Sequence, residues 1–323
     1  MPDELVTLDD ILAAAERIIG RVVRTPLIPF AAAAPDRPLW LKPENLQPTG
    51  AFKLRGAFNA VLQRLEAARA QGVVTHSSGN HARAIAWVAR ELGLRAVIVM
   101  PDAAPAVKVD GVRRLGAEVV IVGAAERDTR AFELAAEHGY VLVPPYDDAD
   151  VLAGQGTVGL EIAADRPGVA TVLVPVSGGG LLGGVATAVK ACAPGIRVIG
   201  VEPELAGDAA ESFRRGKRVS WLPEQTYRTI ADGLRTTSLG EIPWRQIQRY
   251  VDDIVTVTED EIRDSVRRLA VDARIVAEAS GAVPVAAYLH HGDSLGLRGD
   301  TVAVVSGGNI APDLLAELLA PPA

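Results

Sequence analysis

Hydrophobic positions along the chain fall into two alternating rhythms. Short apolar runs at 39–42, 73–76, 96–100, 119–122, 141–143, 171–176, 197–201 and 301–305 read as strands. Segments 82–92, 108–115, 128–138, 185–192 and 310–319 carry apolar residues at helical spacing. Strands that alternate with helices imply parallel sheets covered by helices on their faces. The expected fold class is therefore α/β, with two open, mostly parallel α/β domains. The expected division is a compact domain at 72–145, inserted into a larger one made of 1–60 and 150–323, with a site between them. Thr7 followed by Asp10 has the form of a capping box and opens an amphipathic helix through Ile19. Residues 221–244 show the least regular pattern and are expected to be rich in loops.

Parallel strands present their C-terminal ends to a common edge, where ligands bind. Three of the runs end there in small, polar, glycine-containing turns. His76-Ser77-Ser78-Gly79-Asn80-His81 follows the first, Ser177-Gly178-Gly179-Gly180-Leu181-Leu182-Gly183-Gly184 follows 171–176, and Ser306-Gly307-Gly308-Asn309 follows the last. The triple-glycine turn leads directly into a helix, so bare backbone N–H groups and the helix dipole form an anion cradle, most naturally for phosphate. The same residues, Gly178 to Gly183, also satisfy G-x-G-x-x-G, and Glu202 ends the next strand about twenty residues on. By spacing alone this is a dinucleotide fingerprint. It would bind NAD with Glu202 on the ribose hydroxyls and make the chain a dehydrogenase.

Lysine usage points elsewhere. Only five of the thirty-three basic residues are lysines, and Lys53 lies among small and apolar neighbours. Pro48 and Gly50 break the backbone ahead of it, and 54–65 then shows helical spacing. A lysine at a helix start, desolvated by apolar neighbours, has a lowered pKa and a free amine able to attack a carbonyl. A phosphate cradle and an activated lysine together call for a phosphorylated aldehyde held as an imine, and the common biological one is pyridoxal 5′-phosphate. The NAD reading leaves the lysine and the other two serine–glycine turns without a role.

Composition narrows the partners. With a formal charge of -7 and no basic cluster interleaved with aromatics, neither nucleic acid nor an anionic membrane is expected as a partner. No apolar run approaches a membrane span, and the first ten residues are acidic, so a cytoplasmic enzyme acting on a small molecule is expected. Cys192, the single cysteine, is expected to pack as a small apolar group.

Lys42-Pro43-Glu44-Asn45-Leu46-Gln47-Pro48-Thr49-Gly50-Ala51-Phe52-Lys53-Leu54-Arg55-Gly56-Ala57 carries a family resemblance together with the 77–81 and 177–184 turns, Ile230-Ala231-Asp232-Gly233, Val251-Asp252-Asp253-Ile254 and Ser306-Gly307-Gly308-Asn309. In order and over nearly the whole chain, these residues resemble the serine/threonine dehydratase and serine racemase family, fold type II of the pyridoxal-phosphate enzymes, with a tryptophan synthase β-like architecture. The resemblance implies that Lys53 is the Schiff-base lysine and that Phe52 flanks the ring. It places Asn80 at the cofactor's 3′ oxygen, Ser177, Gly178, Gly179, Gly180 and Leu181 around its phosphate, and Ser306 at the pyridine nitrogen. Ser77, Ser78, Gly79, Asn80 and His81 would clasp the substrate carboxylate. The implied activity is β-elimination from L-threonine and L-serine, giving 2-oxobutanoate or pyruvate plus ammonia, with Lys53 as general base. Racemisation of serine or of an aspartate-type substrate, with Ser78 returning a proton on the opposite face, is the alternative, as is dehydration of 3-hydroxyaspartate. A homodimer is expected.

Two positions depart from the family pattern. Ser177 stands where many relatives begin the turn with a fourth glycine, and Glu278-Ala279 replaces the acid–proline pair that relatives often have, which leaves Glu278 without an assigned role. The chain also lacks the extra segment of the long biosynthetic dehydratases, so feedback control by isoleucine is not expected. His290-His291 reads as a solvated helix end. Finally, Glu202 and Asp208 stand six residues apart, with Gly207 letting the Ala206 carbonyl point between them. An all-oxygen set suits a hard cation, Mg²⁺ or Ca²⁺ with Mn²⁺ also possible, and cation-dependent members of the resembled family use this spacing.

Overall fold

The apolar runs sort into two sheets. The computed structural model describes residues 5–320, so the outermost ends of the expected domain extents, 1–4 and 321–323, lie outside the described residues. Its strands are β1 (Ile28–Pro29), β2 (Leu39–Pro43), β3 (Val73–His76), β4 (Ala96–Pro101), β5 (Glu118–Val122), β6 (Val141–Leu142), β7 (Thr171–Pro175), β8 (Arg197–Pro203), β9 (Asp253–Val257) and β10 (Thr301–Val305). One sheet has the order β1-β2-β10-β7-β8-β9 and the other β5-β4-β3-β6. Every pairing is parallel except that of the short edge strand β1 with β2. All eight runs read as strands form strands; β1 and β9 come in addition.

The first helix, Leu8–Ile18, starts as expected: Thr7 Oγ1 accepts from the Asp10 amide, and the Asp10 carboxylate accepts from the Thr7 amide. The stretch 221–244 contains only a four-residue helix at Pro223–Thr226 and a 3₁₀ turn at Asp232–Leu234 before the next helix begins at Glu241. His290 and His291 close the helix Ala279–His291, bonded to Asp264 and Glu261.

The helix that carries the lysine, Lys53–Gln63, joins the two cores. Its Leu54, Ala57, Phe58 and Val61 pack with Ile85, Val88 and Ile98 of the four-stranded sheet and its helices, and burying a side chain such as Leu54 or Phe58 contributes about 1.5–3 kcal/mol. Phe52, one residue earlier, packs with Val174, Val176 and Leu181 beside the six-stranded sheet. Lys53 thus lies on the seam. A long buried helix, Ala149–Asp165, braces it from behind: a Cβ on Gly154 would lie 2.6 Å from Gly56 Cα, so the two backbones touch only because both residues are glycine.

Candidate active site

Lys53 is held in place by a buried network two residues further on. Arg55 donates to Glu44 through Nε (2.7 Å) and Nη2 (2.8 Å), and to Glu161 through Nη1 (2.7 Å). Lys42 donates to the same Glu161 at 2.5 Å and to the Thr25 carbonyl at 2.6 Å. Thr25 Oγ1 and Gln47 Nε2 also donate to Glu44. Two cations face two carboxylates with their hydrogen bonds made, the condition under which buried charge is tolerated. The segment between Lys42 and Lys53 is pinned at both ends. It is also tied to the end of β10: Phe52 N donates to Ser306 O at 3.0 Å, and Gly50, at φ +77°, sits where a Cβ would be 2.5 Å from Asn309 Oδ1.

Lys53 is the first residue of its helix, as expected, and its amine donates to Pro145 O at 2.6 Å, 4.9 Å from the Phe52 ring centroid. Burial lowers its pKa to about 8, against an ordinary 10.5, so a useful fraction of the amine is unprotonated near neutral pH. Burial is the cause of the shift.

The amine faces a cavity of about 170 Å³. Phe52, Lys53, Asn80, His81, Ser177, Gly178, Gly179, Gly180, Leu181 and Ser306 all line it. Ser77, Ser78 and Gly79, half-buried, form the adjoining turn but are not in its wall. The glycine turn admits no side chains. Gly179 has φ +90°, and a Cβ on Gly178 would lie 2.4 Å from the Tyr146 ring. Its bare backbone opens the helix Gly180–Cys192, whose first N–H groups have no partner within the helix. Such a cradle fits a phosphate. Ser177 Oγ is bonded to Thr236 Oγ1 at 2.7 Å.

Asn80 begins the helix Asn80–Leu92, and its amide is fixed on both sides. Its Nδ2 donates to Glu278 Oε1 at 2.7 Å and its Oδ1 accepts from Asn309 Nδ2 at 2.8 Å, while Glu278 Oε2 accepts from the Asn309 amide. Asn80 keeps one N–H for a ligand. Glu278 therefore has a structural assignment that its sequence did not supply. Burial, reinforced by the charge of Asp232, pushes its carboxyl up to about 7. His81 is buried, with Nε2 2.9 Å from Val143 O, and burial followed by the charge of Lys53 lowers its pKa to about 3. It stays neutral, a tether between helix and sheet.

The NAD reading fails on Glu202. Its side chain is fully buried, and Oε1 accepts from the Ala210 amide at 2.7 Å, at the start of the helix Asp208–Arg215. It does not line the cavity, so it cannot reach a ribose held by the glycine turn. Its environment is distinctive in another way. Glu202 Oε2 and Asp208 Oδ2 are both buried without a hydrogen-bond partner, and Ala206 is buried between them in sequence. Burial pushes Asp208 up to about 7; burial and then the charge of Asp208 push Glu202 well above the carboxylate range. Two buried, under-bonded carboxylates fit a hard cation. Among the described residues no group of three or more His, Cys, Asp or Glu side chains could hold a metal, so any such ion would rely on this pair and on backbone or water oxygens.

Sequence reasoning assigned no site role to several residues of the cavity wall, among them His76, Arg127 and Tyr146. His76 ends β3, and Tyr146 lies in the turn that follows β6. Both occupy the strand-end positions that singled out the glycine turns, so extending that rule to non-glycine residues would have found them.

Two mostly parallel sheets with a buried lysine facing a glycine turn define the fold type II class of pyridoxal-phosphate enzymes. The chain belongs to the pyridoxal-phosphate dependent enzyme family, which matches it over residues 18–307. It is 40% identical to the L-threonine ammonia-lyase of Thermotoga maritima over 323 residues, covering 98% of this chain and 78% of that one. Among solved structures it is similar to the threonine deaminase of T.th. (TM-score 0.87, 42% identity, covering 94% of this chain and 99% of that one). Maize serine racemase is similar too (TM-score 0.90, 36% identity, 97% of each chain).

Proposed function

We propose that this chain is an ammonia-lyase that converts L-threonine and L-serine to 2-oxobutanoate or pyruvate plus ammonia, with pyridoxal 5′-phosphate at Lys53. The observation that carries the reading is one cavity containing a buried amine, lowered to about 8, opposite a side-chain-free turn at a helix start. Threonine-cleaving relatives at 40% identity support the substrate class. The bound cofactor supplies an electron sink for breaking the substrate's α C–H and β C–O bonds.

The residues divide the remaining work. Lys53 Nζ, partly free of its proton, would hold the cofactor and would serve as the base for the substrate's α proton. Backbone at 177–181 would hold the phosphate, with the Ser177 hydroxyl as an additional donor, and Phe52 would flank the ring. Asn80 offers its remaining N–H to the 3′ oxygen, and Glu278 and Asn309 keep that amide from flipping. Ser306, in the cavity wall, would be the partner for the cofactor's ring nitrogen, and a hydroxyl is too weak an acid to protonate such a nitrogen, which would suit elimination. The 77–81 turn, at the start of the helix Asn80–Leu92, takes the substrate carboxylate. The α proton and β hydroxyl leave as water; the released enamine takes up water and loses ammonia.

Serine racemisation is a second reading, favoured by the similarity to maize serine racemase and by a serine, Ser78, next to the cavity. In both readings the 72–145 unit and the remainder form two domains around the site, and the enzyme is a cytoplasmic homodimer. An acidic charge balance agrees with this placement, as does the absence, among the described residues, of a helix long and apolar enough to cross a membrane. Glu202, the Ala206 carbonyl and Asp208 bind Mg²⁺ or Ca²⁺ in a structural role, an assignment supported by the two unpartnered carboxylate oxygens. The test is a panel of β-hydroxy amino acids assayed for 2-oxo acid, ammonia and enantiomer composition. Elimination from L-threonine is expected; a protein that holds the cofactor yet turns over no amino acid would overturn the reading.

A further inference from the structure

A second cavity, of about 490 Å³ against about 170 Å³ for the one beside Lys53, lies between three helices and has no part in the elimination. Asp10, Ala13 and Arg17, at helical spacing on the helix Leu8–Ile18, form one wall. Asn59 of the helix Lys53–Gln63 and Asp150 and Ala153 of Ala149–Asp165 form the others. The charged groups here are only half used. Arg17 Nη1 donates to Asn59 Oδ1, and Asn59, 1% exposed, donates through Nδ2 to the Asp150 carbonyl at 2.7 Å. Arg17 Nε and Nη2 have no partner among the described residues. Asp10 takes the Thr7 amide and hydroxyl on Oδ2, and Asp150 takes Arg64 Nε and Nη2 on its own Oδ2. The Oδ1 of each carboxylate is therefore without a partner among the described residues.

A purely anionic ligand would meet two carboxylates in this groove and a purely cationic one the guanidinium, whereas a molecule with one charge of each sign satisfies both. Leu5 and Val6 add an apolar surface to the same wall. We propose that the groove binds a small aliphatic α-amino acid as its zwitterion, with the carboxylate on the Arg17 guanidinium, the ammonium on the free Oδ1 atoms of Asp10 and Asp150, and the side chain against Leu5 and Val6. The site shares no wall residue with the cavity of Lys53, and the proposal stands apart from the elimination reading. A bound ligand ties the helix Leu8–Ile18 to Ala149–Asp165 across Asn59, which sits on the helix that Lys53 begins. Because the unfolded chain has no such groove, occupancy stabilises the folded protein by mass action.

The probe is L-2-aminobutanoate, which has no β leaving group, titrated calorimetrically into borohydride-reduced holoenzyme so that no imine can form at Lys53. Butanoate and 1-aminopropane are the single-charge controls. A saturable site is expected at millimolar or lower concentration, with Tm rising as ligand is added and each control binding roughly tenfold more weakly or worse. Arg17→Gln keeps a donor for Asn59 but removes the charge, and should weaken binding roughly tenfold or more, the size of one lost charge-assisted hydrogen bond. Ala13→Leu keeps every charge, fills the groove from an exposed position on its helix, and should weaken binding as much. Should Arg17→Gln fail to fold, Ala13→Leu decides. No saturable binding, or equal binding of butanoate or 1-aminopropane, would overturn the proposal. Binding of parental strength in the folded variants would overturn it too, and would assign the ligand to the cavity of Lys53. None of these readouts depends on turnover, so each is distinct from a failure of the elimination reading.

Discussion

Arg55 Nε and Nη2 both donate to the Glu44 carboxylate, at 2.7 and 2.8 Å, although neither side chain reaches solvent. The pair ties the helix of Lys53 to the turn after β2 and so holds the reactive amine to the scaffold on either side. Removing one partner would leave the other as an uncompensated buried charge. Glu44→Ala should therefore destabilise the protein by about 3–5 kcal/mol, read as a lowered urea midpoint with an unchanged slope. A loss below about 1 kcal/mol would mean that water already solvates the pair.

The Glu202 and Asp208 pair predicts a pH dependence of defined sign. Asp208 titrates near 7 in the folded protein against an ordinary 3.8, and Glu202 is raised in the same direction. Between about pH 4 and 7 the folded state therefore binds more protons than the unfolded one, and stability contributed by these groups falls as pH rises. In EDTA the parent's Tm should drop across this window more steeply than that of Asp208→Asn. Mg²⁺ or Ca²⁺ should restore Tm most at and above the folded-state titration near pH 7, and least near pH 4. Identical slopes in parent and variant, with no effect of either ion, would remove the cation site.

Ser78 separates the two activities. Ser78→Ala should abolish racemisation of serine while keeping part of the elimination from the L enantiomer, as measured by chiral chromatography alongside 2-oxo acid release. Equal loss of both would contradict acid–base chemistry on the face opposite Lys53.

Much of this was legible because both sheets are built from short apolar runs of one kind, and all eight such runs became strands. β9 was missed because only Ile254 and Val257 are buried in it, too sparse a pattern at the edge of a sheet. The helix Ala149–Asp165 was missed because Gly154, Gly156 and Gly159 argue against a helix by propensity, whereas close packing against Gly56, Ile11 and Val185 requires them. Pro284 similarly conceals the earlier part of the helix Ala279–His291, of which only the His290-His291 end was read. In the cavity, Lys53 and the glycine turns could be read from local sequence, since the punctuation around them carries the chemistry. Glu278 could not, because its partner Asn80 is 198 residues away.

The central claim is that Lys53, among five lysines, carries the cofactor. Holoenzyme purified with its visible absorption should be reduced with borohydride, digested and mapped by mass spectrometry. The account predicts loss of the visible band, one stable pyridoxyl adduct located on Lys53, and no band or adduct in Lys53→Ala. An adduct on Lys42, Lys108, Lys190 or Lys217, or a protein that takes up NAD and no pyridoxal phosphate, would contradict it.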